Sequence, residues 1–474
     1  MRKINGSVTI FFSLTISTFI LFLSVLIRLV LDRYEKERFE IISDICITSI
    51  LGEYSIPLYE TYDLLYIDSG YSGYAGDVES VDTIKSRAEY YFEQNISQNS
   101  EVAATGETRP PWGEICIESV GIDDFQTAAA GFGQSMRAQI GRNAESGKYD
   151  SYRADDVPGD IESIVLNNEN SFWEEWQGLM QAINEKKLPK KMNSKTGKLE
   201  EVPLTNPADW VYSLSRNDIL FNTGTDISDI SNALLPLEDC ISQRGARNTM
   251  ELGNIPHYDN SAMDCFLLQK MNSFQNRLQV RLSGNELEYI LEGEGSDYVN
   301  FRKVVEDITD IRISDNRNHI ENNSEIIRRA SEEARKLEVC TLDESFIEPV
   351  AKSIVYACVY LETLNDITRL LKGNRIPLVK NNIYVRVENV ISESRVSAEY
   401  GGGYTYIQYL IGMINEMDEM TLNLRVMDLI EMEIRRQTGS RFRMDFCIER
   451  LYMSIEGSGK YGGKNNINRV YGYY

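Results

Sequence analysis

Hydrophobic and polar positions follow three patterns along this chain, and each predicts a different element. The first is an unbroken apolar run. No charge occurs between Lys3 and Arg28, and from Val8 to Leu31 most residues are Ile, Leu, Phe or Val. A helix rises ~1.5 Å per residue, so the run spans ~36 Å against a hydrocarbon core of ~30 Å. It is too long for the core of a cleaved signal and lacks a small-x-small cleavage triplet, so it reads as a membrane anchor. The hydroxyls at 13, 15, 17, 18 and 24 are expected to bond back to helix carbonyls or to face another membrane helix.

The second pattern is the helical period. Past Arg38, apolar residues recur at Ile41, Ile42, Ile45, Ile50, Leu51 and Tyr54 until Pro57 intervenes. One helix of about fifty residues is implied, half in lipid and half docked on a globular domain. Further helices are predicted at 80–97, 125–147, 301–313, 324–337, 349–373 and 419–437, and after the glycines 401–403. Pro349 near the start and Gly373 at the end of one of them follow the usual asymmetry. The triple glycine itself reads as a flexible loop.

The third pattern is alternation, the mark of a strand. It occurs at 114–120 and at 382–390, where Ile383, Val385 and Val387 share a face. In "RLQVRLSGNELEYILEG" two alternating runs flank Gly284–Asn285, which predicts a β-hairpin. In "RFRMDFCIERLYMSI" the face of Phe442, Met444, Phe446 and Ile448 falls out of phase with Leu451, Met453 and Ile455. One extra residue near Glu449–Arg450 repairs the register, which predicts a β-bulge. The fold class is therefore α+β: a long transmembrane helix continuing into a domain of antiparallel strands packed by helices.

Composition divides the chain into 1–56, the transmembrane helix and its continuation; 57–147, a first α+β part; 148–255, an inserted region; 256–457, a C-terminal α+β part; and 458–474, a flexible tail. The inserted region holds three of the four tryptophans (Trp173, Trp176 and Trp210) and the basic stretch "EKKLPKKMNSKTGKLEE". Turn-rich loops are expected at "DSGYSGYAGD" and "TGETRPPWGE". The 474 residues carry 49 basic and 72 acidic side chains, a net charge of −23. That excess repels polyphosphate and argues against nucleic acid as a partner.

The chemistry-bearing motifs are few. "GFGQSM" lacks the third glycine of a dinucleotide loop, and no lysine follows Gly401–Gly403 to make a phosphate loop. His257 and His319 have no companion at ligand spacing. The seven cysteines contain no CxxC, so no metal, cofactor or catalytic residue is assigned and the protein is read as a non-enzyme. Cys240–Cys265 and Cys340–Cys358 are candidate bridges if the domain lies outside the cell. Cys358 is expected to be buried. Glu286 and Glu288 read as exposed acids on one strand face.

The opening segment "GSVTIFFSLTISTFILFLSVLIRLVLDRYEKERFEIISDICITSILGEYSIPLYETYDLLYID" resembles the start of type IV pilins and pseudopilins. With "LSGNELEYILEGEGSDYVNFRKVVEDITDIR", "KGNRIPLVK" and "LRVMDLIEMEIRRQTGSRFRMDFCIERLYMSIEG", it resembles an uncharacterised family of Gram-positive bacteria described as TadE/TadG-like. That resemblance implies a pseudopilin-like accessory of a Tad/Flp-type pilus or secretion system. It would be single-pass in the cell membrane, with a cytoplasmic N-terminus, an extracellular domain and other membrane subunits as partners. Gly6–Ser7 would be the prepilin-type processing site. Processing normally has Glu at the fifth position after the cleaved glycine; here Phe11 stands there, so an uncleaved signal-anchor is expected. The alternative function is an adhesion module for cell-wall polymer or a surface partner, residing in 148–255.

Overall fold

The computed structural model describes residues 6–71, 81–101, 115–149, 171–195, 197–245, 253–380, 382–395, 401–461 and 463–473. The loop at 105–114 and most of that at 68–77 lie outside these. The fold is α+β. Its strands are β1 (Ile67–Asp68), β2 (Ile115–Thr127), β3 (Lys190–Met192), β4 (Leu199–Glu201), β5 (Cys447–Gly459) and β6 (Lys464–Gly472). The chain forms two compact units that interleave in sequence. One comprises Met1–Asn143, Asp239–Tyr258 and Ile430–Tyr474; the other comprises Ala144–Glu238 and Asp259–Leu429.

The first unit is built on helix α1 (Gly6–Leu51) and an antiparallel sheet in which β5 pairs with β1, β2 and β6. Pro57 does not end α1. The helix stops at Leu51, and Pro57 lies in the first turn of the next helix, Ile56–Tyr62, where its missing N–H costs nothing. The core joins Phe39, Ile42, Cys46, Ile47 and Ile50 of α1 to Ile448, Leu451, Met453 and Ile455 of β5, and to Ile84, Ala88 and Phe92 of the Asp82–Glu101 helix.

The predicted bulge is present. Gln126 faces Arg450 and Thr127 faces Ile448, so Glu449 is the extra residue. The strand begins only at Cys447, however, after a 3-10 turn at Met444–Phe446. The tail is not flexible: β6 pairs with β5 from Lys464↔Ser458 to Gly472↔Arg450. Its tyrosines supply the reason. Tyr471 donates to Asp44 Oδ1 at 2.9 Å and Tyr473 to the Leu51 carbonyl at 2.5 Å, both on α1.

The second unit is largely helical. Its centre is Ile347–Leu371, buried on nearly every side from Val350 to Leu370, polar residues such as Glu362 and Asp366 included. Around it pack Asp297–Glu321, Ser324–Arg335 and Ser171–Glu185. The last of these buries Phe172, Trp176, Met180 and Ile183. Trp176 meets Tyr212 with ring centroids 5.2 Å apart, and Phe172 meets Tyr356 at the same distance. Trp210 donates to the Val390 carbonyl at 2.8 Å. Trp176 thus belongs to this unit's core, while Trp173 and Trp210 pack half-buried at its edge. The basic stretch forms the exposed hairpin β3–β4.

Three local expectations are corrected. The hairpin over 278–291 is a loop followed by the helix Glu286–Glu292. Val280 is 93% exposed, and the loop is held by Asn272, whose amide donates to the Gln279 and Ser283 carbonyls at 3.0 and 3.1 Å. Gly-Asn before a polar residue suits a helix start as well as a turn. The strand at 382–390 is an extended segment entering the short helix Val387–Ile391. Its Tyr384 and Val385 amides bond to the Glu362 carboxylate at 3.2 and 2.8 Å instead of to a strand. The helix expected at 125–147 is shortened at its start: β2 runs to Thr127, and Gly131, Phe132 and Gly133 kink the Ala130–Glu145 segment at positive φ, so regular helix follows only after Gly133.

Candidate functional site

The candidate site is α1 itself, which is two surfaces on one helix. From Ser7 to Val30 every side chain is exposed, and the helix is long and apolar enough to cross a membrane. Three of the hydroxyls there bond within the helix: Thr15 to the Phe11 carbonyl at 3.0 Å, Thr18 to that of Leu14, and Ser24 to that of Leu21 at 2.7 Å. An apolar helix with its own polar groups satisfied is what a bilayer accepts. Ser7 and Phe11 both lie on this exposed part, with Gly6 at its start.

From Glu35 onwards one stripe is buried: Glu35, Phe39, Ile42, Ser43, Cys46, Ile47 and Ile50, at helical spacing. The face differs from the one the sequence suggested, since Ile41 and Ile45 point outward, 58% and 46% exposed. The stripe lies against the end of β5, where two glycines permit close approach. A Cβ on Gly457 would stand 2.5 Å from the Phe39 ring, and one on Gly459 would stand 2.2 Å from Glu35 Oε2. Glu35 in turn accepts the Tyr461 amide at 3.1 Å. Further along, Glu53 accepts Tyr71 at 2.8 Å and Tyr91 at 2.6 Å. Burial, reinforced by this carboxylate, raises the Tyr71 phenol well above its ordinary range. Burial pushes the Cys46 thiol up to about 12, which keeps it protonated and inert.

Elsewhere in the first unit, the bulge aims Glu449 inward. Its Oε2 accepts Gln126 at 2.8 Å and Ser135 at 2.5 Å, while Arg142 meets Oε1. Arg244 bridges buried Glu431 and Asp445 at 2.7 and 2.5 Å.

In the second unit, Glu286 and Glu288 are buried helix residues, not exposed strand acids. Glu288 Oε1 accepts the Phe274 amide at 2.9 Å and the Tyr406 hydroxyl at 3.0 Å, while Oε2 has no hydrogen-bond partner. Burial pushes this carboxyl up to about 7. His319 hydrogen-bonds through Nδ1 to the Asp315 carbonyl oxygen at 2.9 Å. Gly403 is not loose: a Cβ there would lie 2.2 Å from the backbone of Ile376 and Pro377, and Tyr404 and Ile376 exchange two backbone bonds of 2.9 Å. The amides of the "GFG" turn serve the fold as well, with Gly133 donating to the Ala129 carbonyl at 3.1 Å. None of the seven cysteines is in a disulfide, so neither Cys240–Cys265 nor Cys340–Cys358 is bridged; Cys358 is buried as expected and Cys116 is exposed.

These buried acids leave no mark in the sequence, because a buried Glu and a solvated one are spelled alike. Only the Glu449 bulge carried a signal, through the phase slip of its strand.

The fold and the exposed shaft thus define an α+β protein with, among the described residues, one helix long and apolar enough to cross a membrane. By sequence the chain belongs to a family of unknown function (DUF5702), whose model matches residues 197–459. No curated protein and no solved structure matches it.

Proposed function

We propose that the protein is a membrane-anchored structural component that assembles through α1, as a pseudopilin-like accessory of a Tad/Flp-type pilus or secretion system. The observation that carries this reading is the division of α1. Twenty-four consecutive residues, Ser7–Val30, stay exposed among the described residues, while the following stripe docks on the sheet. Such a surface is satisfied by lipid or by neighbouring apolar helices. The orientation that suits this role puts the N-terminus in the cytoplasm and the two units outside. The domain then transmits the position of the shaft rigidly, through Phe39 and Glu35.

The test is the intact mass of the native protein, taken separately from membranes and from sheared surface material. Ser7 at the N-terminus in the sheared fraction means a processed, incorporated subunit. Met1 confined to membranes means a permanent anchor beside the assembly. Recovery of the full chain in the aqueous phase after detergent partitioning sinks the reading altogether.

A further inference from the structure

The second unit buries a lysine between two carboxylates with no surface exit. Lys380, at the end of "KGNRIPLVK", is 1% exposed; Glu362 and Asp366, one helical turn apart, are 0% and 1% exposed. Lys380 Nζ stands 2.7 Å from Glu362 Oε1 and 2.6 Å from Asp366 Oδ1. The second approach is not aligned as a hydrogen bond, so Oδ1 accepts none. The other oxygen, Oδ2, is held by Arg312 Nε and by Asn316 Nδ2, each at 3.1 Å. Glu362 is fixed in turn, its Oε2 taking the Tyr384 and Val385 amides.

An ion pair needs none of this asymmetry, but an amide-forming site does. The nucleophile touches one carboxylate oxygen, two donors grip the oxygen on which negative charge would grow, and a second carboxylate waits beside the nitrogen. We infer that Lys380 and Asp366 condense to an intramolecular isopeptide bond, with Glu362 as the proton-transferring catalytic residue. A proton passes from the ammonium to Asp366 Oδ1, leaving a neutral amine and a carboxylic acid. The amine attacks Cγ, and the displaced electron pair settles on Oδ2 against Arg312 and Asn316. Glu362 takes a proton from the nitrogen and hands it to the Oδ1 hydroxyl, which leaves as water. The Nζ–Cγ bond forms, the Cγ–Oδ1 bond breaks, Glu362 returns to a carboxylate, and no oxidant or cofactor is required. Exclusion of water from the site favours the condensed state. The product pins the segment after Gly373 to the central helix.

The test is made on the full-length protein, purified folded in detergent and then denatured for mass measurement. Its mass is expected to be lower than the sequence requires by one water molecule. Trypsin is expected to release the peptides 353–369 and 376–386 joined, with Lys380 uncleaved. Glu362→Gln should return the full mass and the separate peptides while leaving the helical circular dichroism in place. Should that variant fail to fold, the wild-type digest decides alone. Cleavage after Lys380 at full yield, or a water loss mapped to any other pair of residues, overturns the proposal.

Discussion

One contact in each unit shows two different ways of holding a fold. In the first, the contact of α1 with the sheet is close-packed and depends on what is missing: Phe39 and Glu35 reach the sheet because Gly457 and Gly459 have no side chains. In the second, the central helix carries charge into the core. Arg312, fully buried, meets Asp366 at 3.1 Å and Asp315 at 2.9 Å. A close-packed apolar contact fails when volume is added or removed. A buried ionic network fails when one member is lost and its partner is left charged and dry. The comparison predicts where each unit is fragile.

The largest effect should come from the charged core. Arg312→Met removes the guanidinium shared by Asp366 and Asp315 and leaves its buried hydrogen-bonding partners unfilled, and a loss of about 4 kcal/mol is expected. Urea unfolding followed by the fluorescence of Trp173, Trp176 and Trp210 reads this unit. A change below ~1 kcal/mol would show the network to be dispensable. Phe39→Ala removes a buried ring from the helix–sheet contact and should cost about 3–4 kcal/mol. Hydrogen exchange in β5 and β6 should rise with it while the Ile347–Leu371 helix stays protected.

Glu288 separates the units by pH. Its folded carboxyl titrates near 7 against 4.5 ordinarily, so the proton it holds stabilises the fold fully below the ordinary value. That contribution is lost as the pH rises through about 7. Glu288→Gln should therefore match the wild type at pH 4 and exceed it above pH 7, by at most about 3 kcal/mol. Thermal melts across that range check the sign. Gly459→Ala should cost about 2 kcal/mol, because Glu35 must leave the Tyr461 amide to admit a methyl group. Ile41→Ala, on the same helix but facing outward, should change stability by less than ~0.5 kcal/mol. A larger loss there would mean that the docking face is misassigned.

Much of this architecture is legible without coordinates. The length and apolarity of residues 8–31 dictate a helix long and apolar enough to cross a membrane. The phase slip between Ile448 and Leu451 locates the bulge at Glu449, because side-chain direction in a strand alternates strictly. The polarity of the Ser324–Arg335 helix and the cap at Gly439 are equally local matters. What tertiary structure decided is where the backbone of one segment finds partners in another. The alternation at 278–282 and 383–387 is real, but neither segment has a strand beside it; the side chains of Asn272 and Glu362 bond their amides and carbonyls instead. The tail looked mobile because its few apolar residues promise little burial alone. It became a strand because β5 offers an edge and α1 offers acceptors for Tyr471 and Tyr473. The buried acids follow the same logic, since the burial of a carboxylate depends on donors dispersed along the chain and assembled only by folding.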